Sequence, residues 1–151
     1  MVDCNDVRIH TFGVLLEAMK RLNSVFDRSL RDELGISQSF FEALLRISRS
    51  GGHMSMGDLA GQIALSSGGV TRLVDRMIDK DLVERRSCPT DRRVLWVAIT
   101  ESGTAMLEAA LDVHLRDLET EINSRITEAE RTTLIDVMER LREPAATEAT
   151  G

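Results

Sequence analysis

The side chains best equipped for chemistry lie between Ser66 and Gly103, and the chemistry they suit is contact with a polyanion. Ser66, Ser67 and Gly68 open a helical pattern with hydroxyls, small side chains and spare backbone N–H groups, donors that a phosphate can approach closely. Val70, Leu73, Val74, Met77 and Ile78 recur at helical spacing and mark a buried face. Thr71, Arg72, Asp75, Arg76 and Asp79 fall on the opposite, outward face. Thr71 and Arg72 are placed to reach base edges, since a guanidinium binds guanine O6 and N7 in bidentate fashion. Arg76, one turn on, reaches a base or a phosphate, or else pairs with Asp79, and the spacing leaves both open. Arg92 and Arg93 end a polar turn running from Ser87, where Arg92 reads as a phosphate contact or as plain solvated charge.

Those side chains need a frame. Residues 82–86 and 94–99 are β-type runs, so the polar turn between them is the tip of a hairpin. Upstream, Ser55-Met56-Gly57-Asp58 starts a short helix through Gln62, with Leu59 and Ile63 inward. Ala64 and Leu65 turn into a longer helix over 66–80. Short helix, tight turn and longer helix form a helix-turn-helix, and the basic-tipped hairpin after it makes a winged helix-turn-helix in outline.

Helices flank this lobe. Val7 to Leu34 carries an apolar stripe of Phe12, Leu15, Leu16, Met19, Leu22, Val25, Phe26 and Leu30, and Gly35 ends it. Ser37 caps a second helix over 38–48, with Phe41, Leu44, Leu45 and Ile47 facing the core, and Gly51-Gly52 breaks it. Beyond Thr100, Leu107, Leu111, Leu115, Leu118, Ile122 and Ile126 read as one helix of about 25 residues, almost 40 Å long. Thr127 and Glu130 form a capping box for a last helix, with Leu134, Ile135, Met138 and Leu141 as its stripe. Pro144 stops it. The small lobe cannot cover so long a stripe, so Leu111, Leu115, Leu118, Ile122, Leu134, Ile135 and Met138 are expected at a homodimer interface, with an intrachain helical hairpin as the alternative. The fold class is mainly α with a small β-hairpin: a winged helix-turn-helix core between N- and C-terminal dimerisation helices. The ranges are 1–36 for the N-terminal helix, 37–100 for the winged lobe, 101–143 for the C-terminal helices and 144–151 for a disordered tail.

Composition narrows the function. The net charge is −6, but residues 1–52 balance to 0, residues 53–100 carry +1, and residues 101–143 carry −6, with Glu148 adding the last acid. Screening over about 8–10 Å separates an acidic C-terminal segment from a distant reading head. Aromatic residues make up 3% of the chain and Tyr is absent, which argues against a single-strand binder built on stacking. No nucleophile–base set, P-loop or dinucleotide fingerprint is present, so no enzyme activity is expected. Cys4 and Cys88 make no metal or disulfide pattern, and no metal or cofactor is expected. Residues 1–8 hold no apolar leader and no window suits a membrane span, so a reducing cytoplasm is the expected compartment. A winged-helix module that binds another protein is the rival reading, but it has no use for outward Thr71, Arg72, Arg76 and two wing arginines.

The chain resembles the MarR family of bacterial transcription regulators. The resemblance rests on Val70 to Met77 (VTRLVDRM), Leu82 to Arg86 (LVERR), Asp91-x-Arg93 and Ile99-Thr100-x-x-Gly103, and it spans roughly residues 10 to 142. Each motif is short and degenerate, while their order and spacing together are fairly specific. The resemblance implies dimerisation through the terminal helices, and a two-fold dimer reads an inverted repeat of double-stranded DNA with half-sites about 10 bp apart. It also implies that Arg93 enters the flanking minor groove, with Asp91 orienting it, and that the protein represses by occluding a promoter. A cleft for a small anionic aromatic inducer is implied as well, for which Phe12, Leu16, Met19, Phe41, Leu45 and Leu65 are candidate lining or plain core. Arg85 matches a family arginine that would pair with a ligand carboxylate or with an acid of the hairpin. Gly13 stands near the place where the hydroperoxide-sensing branch has its cysteine, so that chemistry is not implied. Cys88, beside Arg85, Arg86 and Arg92, is the remaining redox candidate.

Overall fold

The computed structural model describes residues 4–63, 66–87 and 95–143, with Ser67 by its backbone alone. The turn residues Ala64 and Leu65, the wing tip from Cys88 to Val94, and the expected tail at 144–151 lie outside the described residues. The chain divides into two compact units, 1–115 and 116–151, and the division falls within a helix.

Among the described residues the elements run α1 (Val7–Leu34), α2 (Gln38–Arg49), β1 (His53–Ser55), α3 (Met56–Gln62), α4 (Ser67–Ile78), β2 (Val83–Ser87), β3 (Leu95–Ile99), α5 (Glu101–Glu121), a 3-10 turn (Asn123–Arg125) and α6 (Glu128–Arg142). Local chemistry sets most boundaries. Gly35 takes a left-handed φ of 66°, and its N–H bonds Arg31 O, which closes α1 and drops Ile36 into the core. The side chains of Ser37, Ser55 and Ser66 each accept a backbone N–H from the first turn of the helix that follows. Thr127 and Glu130 form the reciprocal capping box of α6.

The first unit is built on one core. Leu30, Ile36, Phe40, Leu44, Ile47, Leu59, Val70, Val74, Met77, Val83 and Val97 are essentially inaccessible to solvent. Each such side chain contributes on the order of 1.5–3 kcal/mol by leaving water. The core gathers α1's last turns, α2, α3, α4 and the inner sheet face against Leu107, Ala110 and Val113 of α5.

Three expectations change. The sheet has three strands in the order β1-β3-β2, both pairings antiparallel, because His53–Ser55 pairs with Ala98, Val97 and Trp96 on the edge of β3 away from β2. The helix expected over 66–80 stops at Ile78, and the first β run begins at Val83. There Leu82 N–H bonds Met77 O at 2.9 Å and Asp81 takes φ 56°, a helix-ending turn that uses an aspartate where glycine is usual. The single helix expected through Ile126 ends at Glu121. Ser124 Oγ bonds Thr120 O at 2.8 Å, Asn123 Nδ2 bonds Glu119 at 3.0 Å, and Ile126 is extended, so Ile122 and Ile126 lie past the helix.

Candidate nucleic-acid interface

The α4 helix is seated through Val70, Leu73, Val74 and Met77, all buried, and this leaves Gly68, Thr71, Arg72, Asp75 and Arg76 exposed. Ser66 Oγ accepts Gly69 N–H at 3.2 Å, so its hydroxyl caps the helix while its proton can still be donated. Arg72 Nε donates to Gly68 O at 3.2 Å and lies back over the first turn. Arg76 is exposed, and its guanidinium sits 5.2 Å above the Phe40 ring of α2.

Arg85 pairs with Asp75 at 2.6 Å, which ties β2 to α4. Sequence reasoning offered a ligand or a hairpin acid for Arg85. It missed Asp75, because a bridge between two elements leaves no spacing signal along the chain. Glu84 and Arg86, two residues apart on one face of β2, form their own ion pair. The hairpin is anchored at its base. Thr100 Oγ1 donates to Asp81 O at 2.6 Å and accepts Gly103 N–H at 2.9 Å, Thr100 N–H bonds Leu82 O at 3.1 Å, and Ser102 Oγ meets Asp81 Oδ2 at 3.0 Å. These bonds hold the α4–β2 turn against the start of α5. His53, which the sequence offers as polar cleft lining or as nothing special, stacks on Trp96 at 4.5 Å and braces β1 on β3.

Among the residues expected to read DNA, the surface thus brings together Ser66, Gly68, Thr71, Arg72 and Arg76. Ser67 lies in the first turn of α4. Asp91, Arg92, Arg93 and Cys88 lie outside the described residues.

The candidate cleft residues separate. Phe41 is buried and Leu45 packs against the core, whereas Phe12, Leu16 and Met19 are 65%, 57% and 48% exposed on α1. Leu65 lies outside the described residues. His114 of α5, which sequence reasoning did not single out, has its ring centroid 4.9 Å from both Phe26 and Phe41, joining α1, α2 and α5. Of the expected dimer residues, Leu111 packs against the first unit's own core, Leu115 is 59% exposed, and Leu118 and Ile122 are half-buried. On α6, Leu134 and Ile135 are exposed and Met138 is half-buried.

Helices α3 and α4 in succession, followed by the antiparallel β2–β3 pair of a three-stranded sheet, define a winged helix-turn-helix protein. Residues 36–95 match the MarR family. The transcriptional regulator MhqR of Bacillus subtilis is 28% identical over 130 residues, covering 86% of this chain and 88% of that protein. The multiple antibiotic resistance protein MarR of Escherichia coli is 30% identical over 116 residues, covering 75% of this chain and 80% of its own. The crystal structure of Sco3205, a MarR family transcriptional regulator from Streptomyces coelicolor in complex with DNA, superposes with a TM-score of 0.85 at 19% identity, covering 98% of this chain and 96% of that one. The chain belongs to the MarR family of transcriptional regulators.

Proposed function

We propose that the protein binds an inverted-repeat operator as a homodimer, reads each half-site with Thr71 and Arg72 of α4, and represses by occluding a promoter. The observation that carries this reading is the outward set Gly68, Thr71 and Arg72 on a helix held from behind by its buried face and from the side by the Asp75–Arg85 bridge. A braced helix loses little freedom on binding, so its contacts translate into affinity. Sco3205, a protein of the same fold, is solved in complex with DNA, which supports DNA as the partner here.

A small anionic aromatic effector completes the reading. Its carboxylate would compete with Asp75 for Arg85, loosen β2 from α4, and shift the population away from the DNA-ready spacing of the two heads.

Fluorescence anisotropy on a labelled fragment of the gene's own upstream region, over a salt series, tests this. Wild type should bind tightly and with salt sensitivity. Arg72→Ala and Arg93→Ala should each weaken binding by roughly fivefold to 150-fold, the scale of about 1–3 kcal/mol for a lost base contact. Wild-type binding no tighter than to a scrambled fragment, and no inverted repeat enriched from genomic DNA, would remove the reading in favour of a protein partner.

A further inference from the structure

Beside the reading surface lies a hollow of about 370 Å³, bounded by Arg31 at the end of α1, Ser37 and Ser39 at the start of α2, and Gly69, Arg72, Leu73 and Arg76 of α4. Three arginines and two serines therefore line one space, and among the described residues that line it none is acidic. Each arginine is held there by something else. Asp27 grips Arg31 at 2.6 Å from outside the lining, Gly68 O takes Arg72 Nε, and the Phe40 ring lies under Arg76. Asp27 also accepts the N–H of Gln38 at 2.9 Å, so its charge is shared between α1 and α2. Asp27 offsets the charge of Arg31 in part, while Arg72 and Arg76 are held by a carbonyl and a ring, so the hollow keeps a positive lining that suits an anion.

We propose that this hollow is a seat for a DNA backbone phosphate, adding Arg31, Ser37 and Ser39 to the DNA-binding surface. This rests on the reading of α4 given above. A phosphodiester is the anion that would arrive here together with the bases offered to Arg72, and planar guanidinium groups match its oxygens in bidentate fashion. Ser37 Oγ accepts Phe40 N–H and keeps its own proton for an anionic oxygen. The surface then runs from the recognition helix to the end of α1, so a movement of α1 would be felt at the DNA backbone.

The test measures operator and scrambled-DNA affinity across salt for wild type, Arg31→Gln and Ser39→Glu, with Arg72→Ala as the reference for base reading. A lost phosphate contact lowers the salt slope by about 0.9, so a dimer losing two seats should lose roughly 2. Arg31→Gln should weaken both DNAs by the same factor, whereas Arg72→Ala should weaken the operator more. Ser39→Glu puts a carboxylate into the seat but in the first turn of α2, where it favours the helix. Its melting temperature should hold or rise while DNA affinity falls at least tenfold, which separates the seat from folding. Unchanged slopes and affinities in both variants, with Arg72→Ala still impaired, would overturn the seat and leave the α4 reading standing. Failure of wild type to bind any DNA would sink the α4 reading itself. Stabilisation of wild type, but not of Arg31→Gln, by inorganic phosphate with unchanged DNA slopes would assign the hollow to a free anion and overturn the proposal.

Discussion

Gly103 shows what one hydrogen atom in place of a methyl allows. A Cβ built there would lie 1.9 Å from Leu82 O and 2.9 Å from the Ile99 side chain. The oxygen belongs to the backbone that links α4 to β2, so it cannot swing aside without pulling the hairpin from α5. Gly103→Ala is therefore expected to destabilise the fold by about 3 kcal/mol or more, at or above the upper end for overpacked core changes. Gly61→Ala is the matched control, since nothing lies within 4 Å of its added carbon, and it should gain about 0.4–1 kcal/mol. Urea titrations of both proteins check the pair, and a Gly103→Ala protein as stable as wild type would contradict the close approach. The Thr100-x-x-Gly103 pattern was visible in the sequence, but its cause was not, because Leu82 O reaches it only after folding. The cap serines were legible for the opposite reason, as each closes its ring within three residues.

At the scale of elements, the corner between α1 and α2 carries a pH dependence. Arg31 first, and then the Gln38 N–H, hold the Asp27 carboxyl below its ordinary value of 3.8 despite some opposing burial. A carboxyl that titrates lower when folded contributes stability that is fully present above the free value and is lost as pH falls through the folded one. The stability gap between wild type and Asp27→Asn should accordingly be constant near about pH 6 and close below about pH 4, as read from urea midpoints. A gap that persists at the acid end would show that the loss comes from packing instead. The α1–α2 corner was legible in outline, since Gly35 and Ser37 announce it, while the Asp27–Gln38 bond across it was not. Strand β1 escaped because three residues make no period. The end of α5 escaped because Ile122 and Ile126 preserve helical spacing in a stretch that Asn123 and Ser124 unwind through side-chain bonds to the turn before.

For the molecule as a whole, the proposed homodimer would cover surface that one chain leaves exposed. Helix α6 buries no residue at all, and a 15-residue helix is marginal in water without packing. An apolar groove of about 490 Å³ runs along Ile126, Ala129, Thr133, Leu134 and Val137, and Ile135 beside it is 53% exposed. On α1, Phe12, Leu16 and Met19 are likewise left to water. Ile135→Glu should therefore give monomers in sedimentation and lose operator binding with α4 untouched, because each half-site alone holds only half the contacts. Salt should act on the two equilibria with opposite sign. Residues 101–143 carry −6 in each copy, so pairing them brings like charge together, and salt relieves that repulsion. DNA binding releases counterions and weakens as salt rises. Raising salt from about 0.05 M to 0.5 M, a range over which the Debye length falls severalfold, should tighten the dimer while loosening the operator complex. Dimer dissociation that rises in step with operator dissociation would place the acidic segment away from the interface and require another surface to hold the two heads at operator spacing.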